Sequence, residues 1–468
     1  MVVDMIPPDF SYIQKILLPL FYTIQMSVTG TVLGIFFALV LSPFGAANLG
    51  FPAVIRRILR IVIQILRSFP ALILALTATF LFGLGTFAGT FAITLYTFAI
   101  MTKLTYEDAS AADVKAYQAL RAMGVSKYVA YIHGILPEII PGFLTNALYL
   151  LETNVRHSSI LGYVGAGGIG LLLNEKISWL EYDKVGTILL MLFLTVCVIE
   201  YFSRYLAALI RKERTIKKEQ ARLLLLFLAA LFLICTFTLS LPDFSRTSPQ
   251  TLRNMFAGFL QPDWSFFFSA EKDGLGYLLL ETVCIAFIGT VIGAIVSAPL
   301  AFLNTKRFVP APVSFLFNLV IMVIRSVPFL VYGLIFIRVS GPGAFTGVLT
   351  LAVCSIGLLT KRFTEALDAL DPRPYHALLA MGVRPLPAIC HSVLPQLKPV
   401  FTSIILYRFD VNIREASVLS LVGAGGIGAP LIFSMNQYAW EKAGAIMLGL
   451  ILLVWFIDMV SEKIGAGN

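Results

Sequence analysis

The sequence predicts an all-α polytopic membrane protein with about 11 transmembrane helices, arranged as two parallel five-helix repeats plus one linking helix. Three observations predict this class: an unusually apolar composition, eleven long apolar runs, and a self-similar pattern at one fixed offset. Hydrophobic residues make up 58% of the 468 residues and charged residues only 13%, whereas about a quarter of a typical soluble domain is charged. The composition therefore places the chain in a bilayer.

The apolar runs are long enough to be membrane helices, because crossing about 30 Å of hydrocarbon takes about 20 helical residues. They are continuous rather than alternating, which excludes a closed barrel of strands. The first run follows an acidic start that contains prolines, so we expect a retained helix and not a signal peptide. The runs cover 17–41, 58–82, 84–102, 140–160, 185–208, 223–241, 278–303, 315–337, 345–360, 399–419 and 443–460.

The distribution of Lys and Arg predicts the orientation. If the loop 103–139 is cytoplasmic, the inside segments hold 20 of these residues, the outside segments hold 8, and seven arginines lie within the runs. By the positive-inside rule, the N-terminus is then outside and the C-terminus is cytoplasmic. The densest basic stretch, RKERTIKKEQAR at 211–222, is interpreted as a topology anchor rather than a nucleic-acid-binding arm.

The chain is an internal duplication. Two copies of GAGGIG begin at Gly165 and Gly423, an offset of 258 residues. The same offset aligns RSFP at 67–70 with RSVP at 325–328, AMGV at 122–125 with AMGV at 380–383, and LP at 136–137 with LP at 394–395. Six crossings separate the two copies of the long loop, so the repeats are parallel. The predicted divisions are 1–210 for the first repeat, 211–275 for the basic linker, linking helix and outer loop, and 276–468 for the second repeat.

A long polar loop interrupts each repeat. Each loop contains a helix-favouring stretch, Tyr117 to Met123 or Tyr375 to Met381, then a glycine where a helix would end, then eleven residues and Leu-Pro. This order predicts helix, turn, helix and re-entry into the membrane. The segment Asp371-Pro372-Arg373-Pro374 occurs only in the second loop, so we expect the two loops to make unequal contacts.

The loops resemble the cytoplasmic coupling loop in permease subunits of bacterial binding-protein-dependent ABC importers. The pattern of that family is Glu-Ala-Ala, three residues, Gly, nine residues, Ile, one residue, Leu-Pro. The matching positions are Ala119, Gly124, Leu136 and Pro137, and likewise Ala377, Gly382, Leu394 and Pro395. The glutamate position is Gln118 or His376, and the isoleucine position is Gly134 or Ser392. The resemblance implies that the two loops contact two ATP-binding cassette subunits at the cytoplasmic face.

The run LYRFDVNIREASVLSLVGAGGIG at 406–428 resembles the phosphonate-type permeases of these importers, and 148–170 does so more loosely. The resemblance implies a permease of the bacterial cytoplasmic (inner) membrane that takes a phosphonate or a related phosphorus oxyanion from an extracytoplasmic solute-binding protein. Permeases of this type are commonly one repeat per chain and work as dimers, so this chain looks like both permeases fused. A methionine-type permease is a more distant alternative. The sequence has no G-x-x-x-x-G-K-[ST] motif, so we expect no enzyme and no cofactor, and ATP hydrolysis by a separate subunit.

Each GAGGIG copy also fits the dinucleotide fingerprint G-x-G-x-x-G, which requires a preceding strand. Both copies lie between predicted membrane helices near the outer face, so a nucleotide site is excluded. Two interpretations of a substrate path or gate stay open and can coexist: small residues let helix backbones approach or bend, or free amides form an anion-binding nest. The glycines concerned are Gly165, Gly167, Gly168 and Gly170, and Gly423, Gly425, Gly426 and Gly428.

Four arginines inside apolar runs occupy equivalent places in the two repeats, namely Arg67 with Arg325 and Arg156 with Arg414. Intramembrane arginines usually face a cavity or a partner, and their planar donors suit phosphoryl oxygens. Glu152 and Asp410 precede Arg156 and Arg414 by four residues, a spacing that favours intrahelical pairing. Arg67 and Arg325 are therefore the better candidates for the substrate path.

Other features predict no metal or catalytic site. The five cysteines are scattered without CxxC spacing, and the four histidines lack ligand spacing. An ion-coupled secondary transporter with parallel repeats is the rival interpretation, and it would require buried carboxylates or sodium sites in broken helices. A membrane-embedded enzyme or receptor is a third alternative, but the longest outer loop, 242–277, is too short for an extramembrane domain.

Overall fold

The computed structural model describes residues 7–210, 218–240, 242, 249–269, 271 and 274–466. The chain divides into two compact units, Met1–Leu252 and Arg253–Asn468. The basic stretch at 211–222, interpreted as a topology anchor, lies outside the described residues over 211–217.

The first unit begins with a long apolar helix and continues with a short helix pair, a second long helix, the polar loop and two more long helices. Its helices are α1 (Ile13–Gly45), α2 (Ala53–Ser68), α3 (Ala71–Phe82), α4 (Thr86–Ala111), α5 (Lys115–Ala122), α6 (Lys127–Gly134), α7 (Leu136–Leu161), α8 (Ile169–Ser178), α9 (Tyr182–Ile210) and α10 (Lys218–Phe237).

Two helices precede the repeat in the second unit, the first of which begins in the last residues of the first unit, and the order of the first unit then recurs. Its helices are α11 (Pro249–Leu260), α12 (Trp264–Phe267), α13 (Leu275–Asn304), α14 (Ala311–Ser326), α15 (Phe329–Ser340), α16 (Ala344–Ala369), α17 (Arg373–Ala380), α18 (Pro385–Ala388), α19 (Leu394–Leu419), α20 (Gly428–Asn436) and α21 (Trp440–Ala466). A π-helical turn, Ile389–Val393, joins α18 to α19.

Among the described residues, seven helices are long and apolar enough to cross a membrane, or up to ten if each of three bent pairs is one span. A shorter apolar helix, Leu226–Phe237, lies within α10. The polytopic all-α class is therefore confirmed.

Two of the predicted runs, 58–82 and 315–337, are wrong as single helices. The first is α2 and α3, which bend by 95°, and the second is α14 and α15, which bend by 83°. The physical reason is Pro70 in the first pair and Pro328 in the second: proline lacks the amide donor, and it drives the residue before it out of the helical region. Phe69 accordingly has φ −89° and ψ 126°.

Glycines allow the first long helix of each unit to pack closely on the fourth. In the first unit a Cβ built on Gly30 would lie 2.8 Å from the Cβ of Ile93, and one on Gly34 would lie 2.7 Å from the Cβ of Thr97. The two glycines belong to GTVLG at 30–34, and GTVIG at 289–293 has the same role between α13 and α16. Both are G-x-x-x-G patterns, which let membrane helices approach until their backbones touch.

The linking helix α10 packs on α1 of the first unit. The buried Gln25 donates from Nε2 to the carbonyl of Cys235 at 3.0 Å and to Thr238 Oγ1 at 2.8 Å. Side-chain hydrogen bonds of this kind hold helices together where no water competes.

Candidate functional site

The long polar loop of the first unit is a compact helical hairpin. Tyr117 on α5 is buried, and its hydroxyl donates to the carbonyl of Leu49 at 2.6 Å. Burial raises the pKa of the Tyr117 hydroxyl, so this donor keeps its proton. A Cβ on Gly134 would lie 2.8 Å from the Tyr117 nitrogen, which explains why glycine stands where the family pattern has isoleucine.

Both predicted helix ends are confirmed, and both have the same geometry. Gly124 has φ +85° and Gly382 has φ +82°. In the first loop the Val125 amide donates to the Leu120 carbonyl at 3.2 Å, and the Gly124 amide donates to the Arg121 carbonyl at 3.1 Å. The second loop repeats both bonds at 3.1 Å and 3.0 Å. This pair of bonds is the Schellman motif, which requires a left-handed residue at the position after the C-cap.

The second coupling loop is built differently after its glycine. Ser126 caps α6 in the first loop by accepting from the Val129 amide, but Arg384 and Pro385 stand there in the second. The second loop then enters the π-helical turn, in which the Ser392 hydroxyl donates to the carbonyl of Ala388 at 2.6 Å. The two loops are therefore unequal in structure.

The residues predicted to contact the ATPase lie mostly on the surface of their units. In the first loop Gln118, Ala119, Gly124 and Pro137 are exposed and Leu136 is half-buried, and in the second His376, Ala377, Gly382, Leu394 and Pro395 are exposed. The sequence interpretation missed Met123 and Met381, which precede the two glycines and are each 79% exposed. An unbranched apolar side chain on a turn is well suited to a partner surface, and the repeated AMGV was the signal for it.

The GAGGIG turns lie at the opposite end of the helices that follow the loops. In the first unit the 26 residues of α7 separate the loop from the turn, a length of about 39 Å at about 1.5 Å per residue. Three glycines of each copy have left-handed φ values: Gly165 +82°, Gly167 +78°, Gly168 +77°, Gly423 +96°, Gly425 +74° and Gly426 +85°. Only glycine adopts this conformation freely.

The fourth glycine of each copy allows a close approach of two backbones. A Cβ on Gly170 would overlap with the Ser159 carbonyl of α7, and a Cβ on Gly428 would overlap with the Ser417 carbonyl of α19. Conformation and close packing thus account for every glycine of the motif. The interpretation as an oxyanion nest stays a prediction, and in the second unit the Gly426 amide already donates to Glu281 Oε2 at 3.0 Å.

The intramembrane arginines divide into two classes. Arg156 Nη2 lies 2.8 Å from Glu152 Oε1, and Arg414 forms an ion pair with Asp410. Both pairs have the predicted spacing of four residues, and both are mostly buried. The pairs satisfy each arginine within its own helix.

Arg67 and Arg325 lie in the last turns of α2 and α14, immediately before the two bends. Both are half-buried, and Arg325 packs on Gly357 of α16, where a Cβ would lie 3.0 Å from Arg325 Cγ. Their contact with a substrate stays a prediction.

A buried asparagine on α7 joins three helices of the first unit, and the sequence interpretation missed it. Asn154 donates from Nδ2 to Thr31 Oγ1 of α1 at 2.8 Å and to Thr97 Oγ1 of α4 at 2.7 Å. All three residues are at most 2% exposed.

The same cluster recurs in the second unit. Asn412 of α19 donates to Thr290 Oγ1 at 2.6 Å and to Ser355 Oγ at 2.9 Å. The offset is 258 between the asparagines but 259 between Thr31 and Thr290. An ungapped comparison of the two repeats at the offset of 258 therefore does not align α1 with α13. A comparison that allowed one gap would have aligned GTVLG at 30–34 with GTVIG at 289–293.

The buried Arg408 and the half-buried Glu415 form an ion pair in the second unit that has no counterpart at the equivalent positions of the first. Arg408 is 4% exposed; its Nη2 and Nη1 lie 2.8 Å and 3.4 Å from the two carboxylate oxygens, and its Nε donates to Ser355 Oγ at 3.1 Å. In the first unit the equivalent positions are Leu150 and His157. Seven residues are about two helical turns, so the pair joins positions two turns apart on the face that carries Asn412.

Comparison with known proteins agrees with the duplication. The chain matches the family "binding-protein-dependent transport system inner membrane component" over residues 30–215 and again over 289–464. It is 27% identical over 465 residues to the phosphate-import permease protein PhnE of Mycolicibacterium smegmatis, which covers 98% of this chain and 86% of that protein. It is 35% identical over 184 residues to the phosphite transport system permease protein PtxC of Stutzerimonas stutzeri, covering 39% of this chain and 67% of that protein.

A probable D-methionine transport system permease protein, MetI of Vibrio cholerae, is 27% identical over 209 residues, covering 42% of this chain and 93% of that protein. The two family matches cover most of the described helices of both units. They indicate a transport component rather than an enzyme. This chain belongs to the family of binding-protein-dependent transport system inner membrane components and contains its domain twice.

Proposed function

We propose that the chain is the membrane-spanning permease of an ATP-driven importer for a phosphorus oxyanion, with its two repeats doing the work of a permease pair. The observation that carries this proposal is the similarity along 98% of the chain to a phosphate-import permease, together with the similarity to a phosphite permease. Phosphonate, phosphite and phosphate share the tetrahedral, negatively charged group that such a path would conduct.

Two ATPase subunits bind the coupling loops, and an extracytoplasmic solute-binding protein delivers the oxyanion at the other face. Support for the first contact comes from Met123 and Met381, which are exposed apolar side chains on turns fixed by left-handed glycines. The positive-inside distribution supports an orientation with these loops in the cytoplasm, the N-terminus outside and the C-terminus inside. Closure of the ATPase subunits would then act on α7 and α19, because each begins where its coupling loop ends.

The test is uptake by proteoliposomes that contain the chain, a candidate ATPase subunit and a candidate binding protein. Labelled methylphosphonate, phosphite, phosphate and D-methionine are supplied in parallel, with and without ATP. We expect uptake of a phosphorus oxyanion that needs ATP and the binding protein. Uptake driven by an ion gradient without either partner would favour the secondary transporter, and uptake of methionine alone would move the chain to the other class of solute.

A Gly124→Asp, Gly382→Asp double variant tests the coupling loops in the same assay. It places a strained, charged residue in each turn, and we expect uptake to be lost. The matched control is Gly142→Ala with Gly276→Ala, because a Cβ at either helical glycine meets nothing within 4 Å. Equal uptake by the double variant and the control would refute the assignment of the loops.

A further inference from the structure

The backbone amides of the two glycine turns have different hydrogen-bond acceptors, and the charged acceptor present only in the second turn is the carboxylate of Glu281. Glu281 lies half-buried in the second turn of α13, and its Oε2 accepts from the Gly426 amide at 3.0 Å. The next two amides also end on side chains: Ile427 donates to Thr282 Oγ1 at 3.1 Å, and Gly428 donates to Ser420 Oγ at 2.9 Å. Three consecutive amides of the second turn are therefore fixed by side-chain acceptors.

The first turn has one such bond. Ile169 donates to Thr23 Oγ1 at 2.8 Å, which is the counterpart of the bond to Thr282. Tyr22 stands at the position of Glu281, and Gly162 stands at the position of Ser420. Within the described part of the chain, no side chain accepts a hydrogen bond from the amides of Gly168 or Gly170.

Several main-chain features of the two turns recur, although the first turn also has a bond from the Ala166 amide to the Leu161 carbonyl at 3.2 Å. In the first unit the Gly85 amide donates to the Gly165 carbonyl at 3.0 Å, and in the second the Gly343 amide donates to the Gly423 carbonyl at 2.9 Å. The left-handed glycines and the close approach to α7 or α19 also recur. The repeats thus supply an internal comparison of two related glycine turns in which the side-chain acceptors of the amides differ.

We propose that Glu281 is a positioning residue that fastens the glycine turn of the second unit to α13, so that the turn of the first unit is the one that moves during transport. A hydrogen bond to a charged acceptor is stronger than one between neutral groups, and the flanking hydroxyl bonds must break with it if the turn is to move. The part that concerns motion during transport rests on the proposed function, whereas the part that concerns the turns does not.

The test is hydrogen exchange of the whole chain in lipid nanodiscs, followed by mass spectrometry of peptides that span 165–170 and 423–428. We expect the second turn to exchange at least about tenfold more slowly than the first, as one charge-assisted bond requires. Glu281→Ala should remove most of this difference and leave the smaller part that the bond from Gly428 to Ser420 supplies. Glu281→Gln, whose neutral carbonyl oxygen accepts a bond about half as strong, should keep about a threefold difference. Peptides from α16 report whether any variant has unfolded more widely.

The reciprocal variant Tyr22→Glu supplies the first turn with a carboxylate. It should slow exchange over 165–170, and in reconstituted uptake it should lower the rate. Equal exchange of the two turns in the unaltered protein, or no effect of Glu281→Ala, would overturn the role of Glu281. An unaltered uptake rate in Tyr22→Glu, together with slowed exchange, would overturn the assignment of motion to the first turn. Exchange needs no substrate or partner, so a wrong solute leaves that result intact.

Discussion

Replacing Arg408 by leucine should destabilise the second unit, because the change leaves Glu415 as a half-buried charge without its guanidinium partner. The pair is bidentate, and Arg408 is 4% exposed. Loss of one member of a fully buried pair costs about 3 to 5 kcal/mol, and because the Glu415 side chain is 18% exposed we expect a cost at the lower end of that range. For a unit of about this size, a melting temperature shifts by about 2 to 4 °C per kcal/mol, so we expect a fall of roughly 6 to 12 °C.

The double variant Arg408→Leu, Glu415→His is the matched control. It gives α19 the two side chains that α7 carries as Leu150 and His157. Because the same fold accommodates that combination in the first unit, we expect the double variant to lie within about 1 kcal/mol of the unaltered protein, as replacements of buried pairs by neutral groups often do.

The assay is thermal unfolding of the four proteins of the cycle in detergent micelles, followed by circular dichroism. The interaction energy is the difference between the double variant and the sum of the two single variants. A single variant that costs less than about 1 kcal/mol, or a double variant as unstable as the worse single variant, would show that the pair is not an isolated buried interaction.

Three further changes test other parts of the molecule. Gly170→Ala forces a Cβ onto the neighbouring carbonyl, and the same melting assay should show a loss of at least about 1 to 3 kcal/mol in the free energy of unfolding. The control Gly142→Ala, with open space around the new Cβ, should be neutral or stabilising. Equal effects of the two changes would contradict the packing argument. Hydrogen bonds, first that from Lys184, hold the pKa of Glu181 below its usual range, so its contribution is present at neutral pH and is lost as the pH falls through the lowered pKa. Glu181→Gln should therefore lessen the fall in melting temperature between neutral and acid pH, and an unchanged profile would contradict this. Gly124→Ala should cost about 1 to 2 kcal/mol through its left-handed φ alone and expose the first coupling loop to limited proteolysis, and unchanged cleavage would argue against strain in the turn.

Short-range chemistry made the coupling loops predictable. Two of the predicted features depend on residues within one or two helical turns of each other: a left-handed glycine after a helical stretch, and a pair of charges four residues apart. Gly124, Gly382 and the Glu152–Arg156 pair could therefore be predicted from spacing. The duplication could also be predicted, because long stretches of the two repeats match without a gap.

Features that depend on tertiary contact were harder to predict. The bend after α2 lies inside a continuous apolar run, and hydropathy does not report a change in the direction of the helix axis. Pro70 was the local signal for the bend. The threonine partners of Asn154 come from helices that are 123 and 57 residues away in sequence. The Glu281 bond joins positions 145 residues apart, and no pattern along the chain connects them.

The duplication separates what the fold requires from what one half has acquired. Both units keep the G-x-x-x-G contact, the buried asparagine and the left-handed glycines. We infer that the packing of the helices in this fold requires these three features. Arg408, Glu415 and Glu281 occur in one copy, although the other copy builds the same elements without them. Charge inside a membrane is costly, and the first unit shows that the architecture does not demand charge at these three positions. These three residues are therefore where a departure from two-fold behaviour in transport should be sought, because two separate identical permeases could not have acquired them on one side only.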